Sequence, residues 1–395
     1  MTDPVHSSSE SVESSYTAVA DHSETACVTL VIPGRNSAST LRQCLESVIP
    51  LAQLGELSQI IFVDDGSTDD SRTIAECLLT GALDVSQFQI LAGYGDGPGA
   101  ARNLGWHAAS DADLIWFIDS DCVAAPDALQ KLLPHLENPA VVGAGGSYSN
   151  LHPESLLATL IHAEIVARHR SMPTEVNFLG GFNVIYRRIA LEHAGGFDER
   201  DVNGPRAPGA EDCDLSFRLH QAGHSLRIEN SSIVGHHHPR SLRRYLRSQR
   251  IHGHWRVRLY RRHFGQMGGD TYSGPADHLQ PVSGLLAVCG LMLIPFTPVV
   301  ASVIVPGCVL MNLACALVIL RRLQTQFTSS IHLTSFCAMS CVRSVWRGIG
   351  IVSGMLSCLW RPPQPVEALA QLEEGNESRI RVLSGADGNL QEKTT

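Results

Sequence analysis

The chain has 395 residues with a formal net charge of −9, and 44% of its residues are hydrophobic. This length and apolar content suit one large domain with an appendage or two modest domains. The negative charge excludes, on bulk electrostatics, a typical nucleic-acid-binding protein. The 11 Cys residues form no CxxC pair, which predicts reduced thiols in a cytosolic compartment rather than a disulfide framework.

Residues 1–26 are rich in Ser, Glu and Thr without an apolar run, which predicts a disordered tail rather than a signal peptide. From Cys27 to about Gly146, short apolar runs alternate with amphipathic stretches. The runs predict strands at 27–33, 58–65, 88–92, 114–119 and 140–146. The stretches between them predict helices near 38–49, 69–79, 98–110 and 126–137. This alternation predicts an α/β fold with a mostly parallel sheet and helices on both faces.

Residues 147–230 have a weaker pattern. They contain a possible helix at 153–169, a glycine turn at Gly180 and Gly181, and a short strand at 183–187. A further helix is predicted near 212–222, and Gly223 is well placed to end it. An Arg-rich amphipathic segment follows at 240–263.

A long apolar stretch comes next. No charged residue occurs from Val282 to Leu320, which suits two transmembrane helices or one span with a re-entrant piece, at about 20 residues per span. Such a length without charge disfavours a buried pair of core helices. The segment 331–360 is apolar but contains Arg343 and Arg347, so it is either a third membrane segment or an interfacial helix. Kinks or the turn are marked by Pro295, Pro298 and Pro306.

Arginines flank the apolar stretch on both sides. They lie between Arg240 and Arg262 before it, and at Arg321 and Arg322 after it. Because cytoplasmic loops are enriched in Lys and Arg, both ends of the membrane segments are predicted to be cytoplasmic. We therefore expect a multi-pass protein of the cell membrane with its main domain in the cytoplasm. A polar tail is expected at 361–395.

The most informative acidic group is Asp119-Ser120-Asp121, directly after the buried run Leu114–Ile118. Alternate residues of an extended chain point the same way, so Asp119 and Asp121 are predicted to lie on one side at the carboxyl end of a central strand. Ligands bind at this edge in open α/β sheets. Two carboxylates here suit a hard divalent cation, which can bridge a diphosphate. The alternative is a polar loop with one Asp capping the next helix.

A second acidic group, Asp64-Asp65, ends another predicted strand. An acidic side chain here can accept a hydrogen bond from a nucleobase N–H or a ribose hydroxyl. The following Gly66 permits close approach of the backbone to a ligand. Since Ser67 to Asp69 resemble a helix start, a strand–turn–helix cap without a ligand is the alternative.

Two further groups of side chains are suited to catalysis or metal binding. Glu211 and Asp212 begin a predicted helix, where the dipole favours ionised carboxylates and suits a general base. Helix capping is the competing interpretation of these acids. The cluster His236-His237-His238 follows a short predicted strand, and a neutral imidazole there can complete a metal site or bind a phosphate.

In their order along the chain, these segments resemble the family 2 glycosyltransferases, which have the GT-A fold. The resemblance covers about residues 27–262, and membrane segments occur in many bacterial members. The matching segments are VIPGRNSASTLRQCLESV (31–48), VDDGSTDDS (63–71), GPGAARNLGWHAA (97–109), FIDSDC (117–122), LGGFNVIYRR (179–188), GGFDER (195–200) and AEDCDLSFRLHQAGH (210–224).

The resemblance implies a pocket for a nucleotide-diphosphate sugar donor. The residues implied to form it are Pro33, Asp64, Asp65, Arg102, Asn103, Asp119, Gly180 and Gly181. Asp119 would contact the sugar or ribose, and the two glycines match the loop near the donor sugar and acceptor. Arg250 is a further candidate for stabilising the departing diphosphate. Anchoring to anionic lipid is the alternative for most arginines of its segment.

The resemblance also implies the metal ligands and the base. Asp121 would hold Mg²⁺ or Mn²⁺ on the diphosphate, with Asp119 and His236 completing the site. Asp212 matches the catalytic base, with Glu211 beside it. A diphosphate neutralised by a dication leaves without protonation, so one base suffices, and attack from the opposite face predicts inversion.

One departure from the family pattern concerns chain growth. Processive polysaccharide synthases of this family carry Gln-x-x-Arg-Trp, which the stretch Gln249–Trp255 does not fit, so transfer of one sugar or a few is expected. The expected acceptor is a glycan or a lipid-linked molecule. The expected domains are a glycosyltransferase domain at 27–235, an Arg-rich interfacial segment at 236–281 and membrane segments at 282–360.

Other protein classes compete with this interpretation. A membrane-attached protein could bind a nucleotide sugar without turnover, although the carboxylates expected for chemistry are present. A dinucleotide-dependent oxidoreductase would need G-x-G-x-x-G directly after the first strand, where this chain has Pro33-Gly34-Arg35-Asn36. Two or three membrane segments are too few to build a transporter pathway alone.

Overall fold

The computed structural model describes residues 26–199, 209–267, 270–323 and 329–360. The two predicted polar tails lie outside these residues, apart from Ala26. Within the described part, one nine-stranded sheet has the order β3-β2-β1-β4-β8-β6-β9-β5, with β7 paired to β9. Its strands are β1 (Val28–Gly34), β2 (Gln59–Asp64), β3 (Phe88–Ala92), β4 (Leu114–Ile118), β5 (Cys122–Ala124), β6 (Val141–Asn150), β7 (Glu175–Val176), β8 (Asn183–Arg187) and β9 (Ser225–His236).

The direction of the strands changes across the sheet. Strands β3, β2, β1 and β4 are parallel neighbours. Beyond β4, β8 is antiparallel to both β4 and β6, whereas β9 is parallel to β6 and antiparallel to β5 and β7. Only three residues separate β4 from β5, which is too few for the crossover of about a dozen residues that parallel neighbours need, and β5 pairs with β9 instead. The predicted α/β sheet is confirmed, with three parallel pairs among β3, β2, β1 and β4 and a fourth between β6 and β9.

The strands of the parallel part are buried on both faces. In β1, Leu30 and Ile32 pack into one apolar cluster, while Val31 packs into a second cluster on the opposite face. Phe62 and Val63 of β2 divide between the same two clusters. Residues adjacent in a strand point to opposite faces, so a continuous apolar run fills both sides of the sheet.

Helices cover these faces and continue beyond the sheet. Their bounds are α1 (Leu41–Gln53), α2 (Ser71–Ala82), α3 (Pro98–Ala108), α4 (Ala128–Leu132), α5 (Leu156–Ser171), α6 (Arg188–Ala194), α7 (Glu211–Gln221), α8 (Leu242–Arg262), α9 (Pro275–Leu293), α10 (Pro298–Leu323) and α11 (Ser330–Trp360). All the predicted helices are found within a few residues, and α6 was not predicted. Gly223 has a φ of +87°, the left-handed conformation expected for the residue that ends α7.

The helices α9 and α10 are long and apolar enough to cross a membrane, by length and composition. Their most apolar windows are only 28% and 22% buried, whereas a core helix of a soluble protein would be mostly buried. Pro298 begins α10, Pro295 lies in the short connection, and Pro306 lies within α10. These features are compatible with membrane association.

The third apolar segment forms α11, which packs along the Arg-rich helix α8. Small residues allow the two backbones to approach closely: a Cβ on Gly350 would lie 2.1 Å from the carbonyl oxygen of Arg250. Arg343 of α11 is buried and donates to the carboxylate of Glu164 in α5. An ion partner inside the protein therefore explains this arginine in an apolar segment.

The predicted lipid-anchoring role suits only part of α8. Arg258 is fully buried and donates to Ser357 Oγ at 2.5 Å. Arg256 pairs with Asp270 at 2.7 Å, and Arg262 pairs with Asp198 at 2.6 Å. These three arginines hold the helix to the rest of the protein rather than facing lipid. Those exposed on α8 or just before it include Arg240, Arg243, Arg244 and Arg247.

Candidate active site

The turn between β4 and β5 carries Asp119 and Asp121. Cys122 N–H donates to the carbonyl oxygen of Asp119 at 2.9 Å, so the chain reverses here. The prediction placed both carboxylates on one side of an extended strand, but the turn gives them different partners. Asp119 contacts Arg102, and Asp121 contacts His236. Both remain partly open, with 34% and 40% of their side chains exposed.

Arg102 of α3 connects two carboxylates across the site. Its guanidinium lies 2.7 Å from Asp119 Oδ1 through Nη2 and 2.7 Å from Glu211 Oε1 through Nη1. Burial opposes its charge, but Asp119 and Glu211 outweigh burial and raise the pKa of Arg102. A Cβ on Gly181 would lie 2.8 Å from Nη2, so this position needs a residue without a side chain. The guanidinium is thus enclosed between two acids and a glycine.

Glu211 and Asp212 begin α7, as the sequence predicted. Asp212 Oδ2 accepts the Gly181 N–H at 3.2 Å, and Oδ1 accepts the Cys213 N–H at 2.8 Å. Burial and the neighbouring Asp212 charge raise the pKa of Glu211, although Arg102 opposes the shift. Glu211 is therefore committed to an ion pair, whereas the bonds of Asp212 come from backbone donors that orient its carboxylate.

Asp121, Cys122 and His236 form a group that could hold a metal ion. Their ligand atoms all lie within 4.8 Å of one another, and Asp121 Oδ2 is 3.5 Å from His236 Nε2. The strand register causes this arrangement, because Cys122 of β5 pairs directly with His236 of β9. Burial would raise the pKa of Asp121, but the hydrogen bond and charge of His236 lower it. Sequence reasoning found Asp121 and His236 but missed Cys122, whose position next to Asp121 was the available signal.

The other two histidines of the cluster have different surroundings. His238 is buried, and its Nδ1 lies 2.8 Å from Nδ1 of His236. Burial, with the charges of His236 and His162, lowers the pKa of His238 to about 2. His237 points elsewhere, toward His152 and Gln43. His236 is thus the member that faces the acidic turn.

An aromatic stack supports His236 and was not predicted. Tyr148 of β6 stacks on Phe182 with ring centroids 3.6 Å apart, and its ring centroid is 4.7 Å from that of His236. The two aromatic residues come from separate strands or loops, so no local sequence pattern marks them. They fix one wall beside the metal-binding candidates.

The acidic pair at the end of β2 organises loops. Asp65 accepts backbone N–H groups from Gly95 at 2.8 Å, Asp96 at 3.1 Å and Gly97 at 2.9 Å. Burial raises the pKa of Asp65 despite these donors. Asp64 accepts the Ser67 N–H at 3.0 Å. The loop that Asp65 holds leads directly into α3, which carries Arg102.

The remaining predicted donor residues divide between structural and peripheral positions. Pro33 is buried in β1, paired with Val63. Asn103 Nδ2 donates to Phe197 O at 2.8 Å and to Glu199 Oε1 at 2.7 Å, so it fastens the segment after α6. A Cβ on Gly180 would lie 2.7 Å from the Phe182 ring.

Arg250 is not brought to this group. It is exposed on α8, and its backbone lies against Gly350 of α11. Within the described residues, no ion pair or hydrogen bond joins its guanidinium to the acidic side chains. Arg102 instead supplies the cation among these carboxylates.

Comparisons with known proteins agree on one family. The model "Glycosyl transferase family 2" matches residues 29–195, and "Glycosyl transferase family group 2" matches residues 114–341. A pre-mycofactocin glycosyltransferase of Mycobacterium tuberculosis is 32% identical over 260 residues, which are 63% of this chain and 51% of that protein. The chain thus spans about half the length of this relative.

Further similar proteins are more distant. An O-antigen chain rhamnosyltransferase of Salmonella anatum is 26% identical over 246 residues, covering 58% of this chain and 72% of that protein. Among solved structures, the mannosyltransferase PcManGT from Pyrobaculum calidifontis, in complex with GDP-Man and Mn²⁺, has a TM-score of 0.49 and 16% identity. That similarity covers 86% of this chain and 88% of that one.

Proposed function

Because the chain belongs to the family 2 glycosyltransferases, we propose that it transfers a sugar from a nucleotide-diphosphate donor to an acceptor hydroxyl with inversion. Family membership and the observed α/β sheet confirm the predicted GT-A architecture. The family match separates the chain from a second α/β class, the dinucleotide-dependent oxidoreductases. The activity itself is inferred from the site.

One observation carries the proposal: the bridge made by Arg102. It joins Asp119, at the carboxyl end of a parallel strand, to Glu211 at the start of α7. Asp212 lies next to Glu211 and accepts a hydrogen bond from the Gly181 N–H. Gly181 in turn lies against the Arg102 guanidinium. Acids from distant segments therefore meet at the sheet edge where α/β proteins bind ligands.

The acidic turn fits a divalent cation by the chemistry of its donors. Asp121 and His236 offer a carboxylate oxygen and an imidazole nitrogen, and the 40% exposure of Asp121 leaves room for further ligands. Oxygen and nitrogen donors suit Mn²⁺, and the carboxylates alone suit Mg²⁺. When bound, such an ion would supply positive charge to the leaving diphosphate. We propose Asp119, in the same turn, as a further ligand of the ion; its Oδ1 is held by Arg102.

Asp212 is the residue proposed to accept the proton. The acceptor oxygen forms a bond to the anomeric carbon while the bond from that carbon to the diphosphate oxygen breaks. The diphosphate leaves with its electron pair, and the hydroxyl proton passes to Asp212. The two backbone N–H groups that donate to Asp212 fix the direction of its carboxylate for this transfer.

Glu211 is less suited to that role. Its Oε1 is held by Arg102 at 2.7 Å, and only 11% of its side chain is exposed. We assign it to positioning Arg102, which in turn orients Asp119 toward the donor. Asp64, Asp65 and Asn103 contribute by shaping the loops around the nucleoside pocket rather than by a free carboxylate or amide.

The acceptor is proposed to be a lipid-linked or envelope glycan, with the catalytic domain on the cytoplasmic side of the cell membrane. The support is the apolar surface of α9 and α10 and the exposed arginines before them, which suit a membrane and its anionic surface. Exposed large apolar side chains on these helices include Leu286, Leu291, Met292, Val299, Val303, Leu310 and Leu317. The missing Gln-x-x-Arg-Trp pattern supports transfer of one sugar or a few.

The proposal is tested with a thermal-shift screen of nucleotide sugars on the full chain in detergent, with and without Mn²⁺. We expect one donor to raise the unfolding temperature of the wild type, with Mn²⁺ increasing the shift. Asp121→Ala should lose the Mn²⁺-dependent part. Asp127→Ala, a change at an exposed aspartate paired with Lys131, serves as the control and should keep it.

Three results would count against parts of the proposal. The absence of a shift with every nucleotide sugar would contradict donor binding. Binding without any transfer or donor hydrolysis by the wild type would favour the non-catalytic, sugar-binding alternative. An equal Mn²⁺ effect in Asp121→Ala and the wild type would remove the metal from the acidic turn.

A further inference from the structure

Beside the acidic turn, two imidazoles face each other. His152 Nε2 lies 3.0 Å from His237 Nδ1. His152 follows β6, and His237 follows β9, so the pair joins the ends of two neighbouring strands. Both rings are partly buried. The proposed sugar transfer uses neither of them.

The outer nitrogen of each ring lies against an oxygen. His152 Nδ1 is 3.2 Å from Glu154 Oε1, and His237 Nε2 is 2.9 Å from Gln43 Oε1. In the orientation that the structure gives the Gln43 side chain, its amide oxygen accepts from His237 as the Glu154 carboxylate accepts from His152, so each ring carries its proton on the outer nitrogen. The two inner nitrogens therefore both present lone pairs.

Two lone pairs 3.0 Å apart repel unless a cation lies between them. In protein metal sites, a ligating imidazole commonly donates its other N–H to a carboxylate, carbonyl or water, which fixes the tautomer and ring orientation. The bonds to Glu154 and Gln43 reproduce that arrangement on both rings. The separation also fits tetragonal or octahedral coordination, because two metal–nitrogen bonds of about 2.1 Å meeting at about 90° place the nitrogens about 3.0 Å apart.

We propose that His152 and His237 bind a transition-metal ion at a site separate from Asp121 and His236. Two neutral imidazoles at this angle suit Ni²⁺ or Cu²⁺, whereas tetrahedral Zn²⁺ would hold the two nitrogens farther apart and Mg²⁺ prefers oxygen ligands. Water completes the coordination of the ion. The site is thus chemically distinct from the acidic turn that serves the sugar donor.

Such an ion would stiffen the acidic turn from outside. The backbone N–H of His237 donates to the carbonyl oxygen of Asp121 at 3.1 Å, and its side chain reaches Gln43 of α1. Joining His237 to His152 would fix the segment after β9 against the turn after β6. Occupancy is therefore expected to raise the unfolding temperature even without a sugar donor.

The test measures Ni²⁺ binding to the untagged full chain in detergent, after treatment with a chelator, by isothermal titration calorimetry. The background variant is Asp121→Asn, which weakens the acidic site. This variant should still bind one Ni²⁺ per chain, and adding His152→Gln should abolish that binding. His135→Gln is the matched control, because His135 is 19% exposed and pairs with Glu229 much as His152, 18% exposed, pairs with Glu154.

Glu154→Gln gives an independent readout that leaves both ligands in place. Glu154 is 62% exposed, so the change should not impair folding. Loss of this orienting carboxylate should weaken Ni²⁺ binding about 10- to 100-fold. The site is rejected if Asp121→Asn binds no Ni²⁺, which is the result expected if a shared proton joins His152 and His237 instead of a metal ion. It is also rejected if His152→Gln and His135→Gln bind Ni²⁺ equally.

Discussion

Removal of the Arg102 guanidinium should weaken both the fold and the site. Arg102 is 4% exposed and makes charge-assisted bonds of 2.7 Å to Asp119 and to Glu211. Losing one partner of a buried ion pair costs about 3–5 kcal/mol. Asp119 is 34% exposed, so solvent screens its interaction with Arg102, and the lower end of this energy range applies. We therefore expect Arg102→Met to lower the free energy of unfolding by about 3 kcal/mol.

The same change should raise the donor KM and lower kcat, because Asp119 and Glu211 lose their common partner. Urea unfolding in detergent and donor turnover would be measured on the same preparation. Arg218→Met is the matched control, since only 10% of the Arg218 side chain is exposed and it pairs with Asp214 at 2.8 Å. It should lower stability with little effect on KM. A loss below about 1 kcal/mol with unchanged turnover in Arg102→Met would refute the bridge.

Two further predictions concern the contacts between α5, α8 and α11. Burial would raise the pKa of Glu164, but Arg343 and Arg168 outweigh burial and lower it to about 2. About 3 kcal/mol of stability should therefore be lost as pH falls from about 4.5 toward 2. Unfolding measured at different pH values should show this loss in the wild type and not in Glu164→Gln. Gly350→Leu should loosen α8 from α11 because its Cβ would lie 2.1 Å from a carbonyl oxygen, whereas the Cβ of the control Gly307→Leu would meet open space. Limited proteolysis should cut only the Gly350→Leu variant faster than the wild type. Equal cleavage rates in the two variants would contradict the packing.

The sequence predicted the sheet well because strands that are buried on both faces appear in the sequence as continuous apolar runs. The runs at 58–65 and 114–119 correspond to β2 and β4 within one residue at each end. The acidic turn was also found, since Asp119 and Asp121 follow a strand directly. Its geometry was not, because an extended backbone was assumed where the chain reverses at Cys122.

No local sequence pattern marks the contacts between distant segments. Arg102 was matched to the donor pocket by its motif, but its pairing with Glu211 depends on how α3 and α7 are placed around the sheet. Cys122 joins His236 only through the register of β5 and β9. Arg343 looked out of place in an apolar segment until its partner Glu164 was known. These features require tertiary structure and cannot follow from spacing.

Asp212 is the group proposed to accept the proton, and single-turnover transfer by Asp212→Asn tests this role most directly. Once the screen has identified the donor, the rate and the donor affinity would be measured together. We predict a fall in rate of about 10²- to 10⁴-fold, the usual contribution of a general base, with donor affinity nearly unchanged. An Asp212→Asn variant that transfers sugar within about tenfold of the wild-type rate would contradict this role of Asp212.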